Sequence, residues 1–190
     1  MRRKFTIIID GRQIFEELAK EDLWKALEFA ASERLERTEW FIKAFEEIAE
    51  KSPWAAFLFA RCRGLGRAYF VKGFEKSVKN GDFCSAIAFA VGGGLEKEYF
   101  AKGVREALNR CEYDYALEFI ERGELNREFY TLGFEEALKC KHFYSALKFA
   151  EKGDLGREFY ERGLKEAMRS KDYHAASKFA KRMLEEGSRS

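Results

Sequence analysis

The chain has 190 residues, 36% of them charged and 46% hydrophobic, and a formal net charge of +2. That length suits one domain of ordinary size, the charge is too mild to argue for a nucleic-acid binder, and no apolar run approaches the ~18 residues of a membrane span. Residues 1–9 have a basic head, but their apolar run is too short for a secretion signal, so a cytoplasmic location is expected.

In chain order, residues 5–9 are rich in β-branched side chains and read as extended. Asp10 reads as the cap of a short helix to about Lys20, and residues 23–32 as its partner helix. From Leu35 the same unit is written every thirty residues, opening again at Leu65, Leu95, Leu125 and Leu155. Phe29, Phe59, Phe89, Phe119, Phe149 and Phe179 share one phase of this period, and Ala26, Ala56, Ala86, Ala116, Ala146 and Ala176 share another. A fixed period of this length means a stack of like units. The expected organisation is one helical-repeat domain over 1–190: a degenerate unit 1–34, repeats 35–64, 65–94, 95–124, 125–154 and 155–184, and a frayed tail 185–190. In the last copy Ser177 replaces the Leu, Ile or Phe of its phase, as suits a terminal unit with no neighbour to cover it.

Each unit reads as two helices. In the copy at 125–154, Leu125, Phe129, Tyr130, Gly133, Phe134, Ala137 and Leu138 recur three or four apart. They span an arc of about 220°, wider than a surface helix needs, so this longer helix is expected to pack on two sides. Gly133 matches Gly73, Gly103 and Gly163. A mid-helix Gly costs about 1 kcal/mol against Ala, and its repetition implies that another helix passes close. The shorter helix opens at the phase of Asp22, Ser52, Asp82, Glu112, His142 and Asp172, mostly favoured N-cap residues. Pro53 follows at the first helical position, where no backbone N–H is needed. Phe143, Ala146, Leu147 and Ala150 form its inner face, and Phe149 is expected to point toward the next unit. Gly64, Gly94, Gly123 and Gly153 are read as its stops.

These antiparallel pairs resemble the tetratricopeptide class of helical repeats. Leu132-Gly133 is similar to the Leu-Gly pair of that family's first helix, and Ala146 and Phe149 to the small and aromatic positions of its second. The period departs from the family's ~34 residues, and no proline closes the units. Gly153-Asp154-Leu155 echoes the joint of ankyrin repeats, but the helix after it is too long for one. The resemblance implies an all-α, right-handed α/α solenoid of about six antiparallel helical hairpins, and a protein-binding scaffold by analogy of fold.

Two groups of residues are candidates for binding. Phe41, Ile42 and Phe45 stand where other copies carry Thr131, Leu132 and Glu135 or Glu161, Arg162 and Lys165. On the shorter helix Trp54 and Leu58, then Cys84, Ala88 and Val91, stand where Asp114, Glu118 and Glu121 appear later. An apolar patch in the N-terminal half is therefore expected, taking a protein partner or a second copy; the competing expectation is that residues 5–9 fold back over it. The second group is a basic column of Arg37, Arg67, Lys97, Arg127 and Arg157 at the starts of the longer helices. Such a row can bind anions or track an RNA backbone, unless each cation pairs with a carboxylate such as Glu151 or Asp154 beside Arg157.

No catalytic site, cofactor or metal is expected: no Gly-rich phosphate loop or nucleophile motif is present. Cys62, Cys84, Cys111 and Cys140 make no C-x-x-C pair, and His142 and His174 complete no ligand set. The cysteines are expected to be free buried thiols, although Cys111 and Cys140, one residue short of a repeat apart, can be spatial neighbours. Lys, Arg and Glu abound while Asn, Gln and Thr are scarce, a balance seen in proteins from hot sources.

Overall fold

Apolar residues three and four apart and a capping residue at nearly every break leave this chain one regular option, the helix. The computed structural model describes residues 11–35 and 38–187. The extended reading of residues 5–9, the cap reading of Asp10, Arg37 and residues 188–190 lie outside them. Among the described residues are twelve helices and no strand. They run α1 (Gly11–Glu21), α2 (Leu23–Ser32), α3 (Glu39–Lys51), α4 (Pro53–Cys62), α5 (Arg67–Asn80), α6 (Phe83–Gly92), α7 (Lys97–Asn109), α8 (Tyr113–Arg122), α9 (Arg127–Lys139), α10 (Phe143–Lys152), α11 (Arg157–Arg169) and α12 (Tyr173–Gly187). Each odd helix pairs with the even helix after it, and the pairs stack in chain order. The fold is an all-α solenoid of helical hairpins.

The joints explain the regularity. Where an even helix ends, the backbone N–H of the Leu that opens the next unit reaches back five residues: Leu65 to the Ala60 carbonyl at 2.9 Å, Leu95 to Ala90 at 2.9 Å, Leu125 to Ile120 at 3.0 Å, Leu155 to Ala150 at 3.0 Å. This is the Schellman closure, and the buried side chains of Leu65, Leu95 and Leu155 supply its apolar contact. The turns inside hairpins close alike, with Asp82 N–H on Ser77 and His142 N–H on Ala137. Asp22, Asp82 and Asp172 then cap the next helix, accepting from the N–H groups of Trp24, Ser85 and Ala175 at 2.9, 3.0 and 2.9 Å. Ser52, expected to do the same, makes no side-chain cap bond.

Two groups of glycines, read together from the sequence as helix stops, separate in the structure. Gly64 and Gly94 do take the left-handed backbone (φ 63° and 56°). Gly123 and Gly153 do not; Glu124 and Asp154 after them carry the positive φ. These glycines serve close approach instead. A Cβ on Gly123 would lie 2.5 Å from the Cβ of Phe100, and one on Gly153 2.4 Å from the Cβ of Tyr130.

The alanine phase is buried throughout, and of the phenylalanine phase Phe59, Phe89, Phe119, Phe149 and Phe179 are buried. Phe29 is only half-buried. Position 13 of its hairpin holds Gln, and no earlier helix pair stands beside it among the described residues. The rings do not point to the next unit as expected. Phe89, Phe119 and Phe179 each lie on the mid-helix glycine of their own hairpin, Gly73, Gly103 and Gly163. From there they reach the unit before: Phe119 meets Phe74 and Phe83 edge-on at 6.4 and 6.2 Å. The missing Cβ in the odd helix is what gives the ring its place. As the wide arc predicts, odd helices pack both on their even partners and on neighbouring odd helices. The final helix runs to Gly187, past the tail boundary expected at 185, because no Gly-Leu joint follows and Arg182 pairs with Glu185 three residues on at 2.8 Å.

Candidate binding face

The even helices line one side of the stack, and their outward phases set its chemistry. Along the chain one outward phase reads Trp24, Trp54, Cys84, Asp114, Tyr144, His174; the phase four residues on reads Glu28, Leu58, Ala88, Glu118, Lys148, Lys178. Trp54 is 49% exposed, Leu58 44% and Val91 48%. The Trp54 ring leans on Phe57, with centroids 5.4 Å apart, so it is braced at one edge and open at the other. Helix α6 carries no charged residue, and α4 carries only Arg61.

Beyond α6 the same side is charged and internally paired. Lys148 of α10 reaches Asp114 of α8 at 2.8 Å, Lys152 pairs with Glu121, and Arg182 of α12 meets Glu151 at 2.5 Å. Tyr144 and His174 are stacked with a 2.9 Å contact between the Tyr144 hydroxyl and His174 Nε2, and Lys178 Nζ stands 4.5 Å from the Tyr144 ring centroid. This trio escapes a reading of the sequence that stops at Asp114, though Tyr144 and His174 lie on Trp54's phase and Lys178 on that of Leu58.

The apolar candidates therefore divide. Trp54 and Leu58 are on the surface; Phe41 and Phe45 are not. Both are fully buried, with their rings 5.6 and 5.0 Å from Tyr69, and Ile42 is half-buried. The correction has a simple cause: α3 packs directly on α5, so the side of α3 that looks superfluous within its own hairpin is the side its neighbour covers.

The basic column turns inward upon the chain. Arg67 pairs with Glu96 of the next unit. Lys97 Nζ donates to the Glu124 carbonyl at 2.8 Å and Arg127 to the Leu155 carbonyl at 2.6 Å. Both acceptors lie just past the ends of α8 and α10, where the helix dipole favours a cation. Arg157 pairs with Glu161, not with Glu151 or Asp154. Two of the four described members, Arg67 and Arg127, thus tie one unit to the next, while Lys97 closes the end of its own unit and Arg157 pairs within its own helix.

All four thiols are free, as expected, but exposed rather than buried. Each stands at a helix end or in a turn, where the core phases do not reach. Tyr113 is the group whose acidity departs most. Its hydroxyl is shut off from solvent. Burial first, and then the nearby thiols of Cys140 and Cys111, push its pKa up. Among the described residues no group of His, Cys, Asp and Glu is placed to hold a metal, and no helix is long and apolar enough to cross a membrane.

These features define a class, the all-helical arrays of packed hairpins, with an apolar stretch on one outer face. No family model, curated protein or solved structure matches the chain.

Proposed function

We propose that this is a non-catalytic, tetratricopeptide-like scaffold that binds a protein partner through the outer face of α4 and α6. The observation that carries the reading is the exposure of Trp54, Leu58 and Val91 on two nearly uncharged helices. The helices farther along wear cross-helix ion pairs on the same side. Exposed apolar patches bounded by polar surface are interaction sites by default, and Trp is a frequent anchor in them.

Trp54 is itself the probe, since Trp24 and Trp40 are half-buried. The difference emission spectrum between the full chain and Trp54→Phe reports its surroundings, read together with light scattering. A red-shifted Trp54 in a monomer supports a heterologous partner; a blue-shifted Trp54 in a concentration-dependent dimer supports a second copy in that role. A blue-shifted Trp54 in a strict monomer would mean that the chain covers its own patch, and would defeat the proposal.

A further inference from the structure

The turns that join odd to even helices bring a side chain of one unit onto the turn of the unit before, and one such junction holds two thiols. Cys111 lies in the turn after α7, with φ 59°, and Cys140 is the C-cap residue of α9. One repeat earlier their places are taken by Gly81 and Arg110. There, Arg110 lies along the preceding turn, donating to the Lys79 carbonyl at 2.8 Å. A Cβ built on Gly81 would be 3.8 Å from Arg110 Cδ. Cδ is two bonds, about 2.5 Å, from its own Cβ, so the two Cβ positions at that junction are no more than about 6.3 Å apart. A disulfide spans about 3.5–4.5 Å between Cβ atoms; at this spacing an approach of about 2 Å or less closes it.

The junction at Cys111 and Cys140 is built the same way. Arg110 lies over the ring of Phe83, 5.9 Å from its centroid. Tyr113 stands one repeat after Phe83, and its hydroxyl has the thiols of both Cys140 and Cys111 as neighbours. The ring packs under the turn against His142 and Phe149, at centroid distances of 5.0 and 6.5 Å. Both cysteines are exposed and lie outside the helices they flank, so a small shift of the turn falls on the last bond of α9, from Cys140 N–H to the Glu136 carbonyl at 3.1 Å, and leaves the rest of the ladder in place. Cys62 and Cys84 offer no second pair, since they sit at opposite ends of α4 and α6.

We propose that Cys111 and Cys140 form an oxidation site, closed by a low-molecular-weight disulfide into an intramolecular bond that staples unit 95–124 to unit 125–154. One thiolate attacks a sulfur of the small disulfide, forms a mixed disulfide and releases one small thiol. The other thiolate then attacks the protein sulfur of that mixed disulfide and displaces the second small thiol. Two protein thiols become one S–S bond, the small disulfide takes up the two electrons, and the two thiol protons end on the two small thiols. In a stack held together by contacts between neighbouring units, such a bond resists opening of one interface.

The test uses the full chain carrying Cys62→Ser and Cys84→Ser, incubated with oxidised glutathione at graded ratios to reduced glutathione. The expected product is a monomer lighter by about 2 Da with no adduct, no titratable thiol, and a tryptic Cys111–Cys140 cross-linked peptide that disappears on reduction. Its urea midpoint should rise on oxidation and return with reductant. Adding Cys140→Ser should leave one stable glutathione adduct on Cys111. Accumulation of a doubly adducted monomer, of a cross-linked dimer, or of unreacted thiols under strongly oxidising ratios would overturn the proposal.

Discussion

Phe149 occupies the space that a side chain on Gly133 would need. A Cβ built on Gly133 would stand 2.2 Å from Cε1 of the Phe149 ring and 2.5 Å from Cδ1 and Cζ. The two residues belong to α9 and α10 of one hairpin, and the ring has no exposed surface into which to retreat. Intrinsic propensity favours Ala over Gly in a helix by about 1 kcal/mol, whereas forcing volume into a full core costs about 1–3 kcal/mol. Gly133→Ala should therefore destabilise the chain by about 1–2 kcal/mol in urea denaturation followed by circular dichroism. Adding Phe149→Leu should recover part of that loss. An alanine variant as stable as the parent would mean that the ring is not locked over the glycine.

Phe119 is one of the two central members of its column, buried between Phe74 and Phe83 and seated on Gly103. Truncation to Ala should cost about 3–5 kcal/mol, the range for large aromatic side chains in cores. Phe29, half-buried in the first hairpin, should cost clearly less. The comparison isolates the column from any general intolerance of Phe loss, and equal midpoints for the two variants would count against it.

The period, the hairpins and the mid-helix glycine column are legible in the sequence because each is stated several times at one phase. Direction and neighbourhood are not. A helical arc tells that Phe41 and Phe45 face something wide, but not that α5 lies against them, since the covering helix belongs to another unit. Likewise nothing in the spacing of Phe149 separates the next unit from its own α9; the answer lies in the notch at Gly133, sixteen residues away. Gly123 and Gly153 read as helix stops because a stop and a close approach select the same residue. Trp54 and Leu58 are legible as candidates for the opposite reason: on a face where copies 4 to 6 carry charge, apolar residues stand out.

Solvent exposure at Trp54 implies that its removal leaves the fold intact. Trp54→Ser should shift stability by less than about 1 kcal/mol, the scale for surface changes that lose one packed edge, here the contact with Phe57. The same substitution should abolish any self-association seen by light scattering at high protein concentration. A loss of several kcal/mol would place the ring in the core instead.

Tyr113 gives the stack a signature at high pH. Burial and the neighbouring Cys140 and Cys111 thiols raise its pKa in the folded chain, while the unfolded chain keeps the ordinary tyrosine value of about 10. Above about pH 10 the unfolded state therefore binds fewer protons than the native state, so stability falls as pH rises. Tyr113→Phe removes this term. The variant should lose less stability than the parent between about pH 10 and 12 in urea titrations at fixed salt. Parallel curves for the two would show that Tyr113 ionises as freely in the folded chain as in the unfolded one.

Arg127 decides between the two roles open to the basic column. Its guanidinium donates to the Leu155 carbonyl at 2.6 Å, across the joint between the fifth and sixth hairpins, so an exposed side chain reaches a buried residue there. If the cation serves the stack, Arg127→Met loses a charge-assisted hydrogen bond but keeps much of the aliphatic packing, at a cost of about 1–2 kcal/mol after allowance for solvent screening. The parent should then show no retardation of single-stranded RNA even at low salt, because Arg67, Lys97 and Arg157 are engaged as well. RNA binding that weakens steeply with salt, together with an Arg127→Met variant as stable as the parent, would return the column to the surface as an anion track.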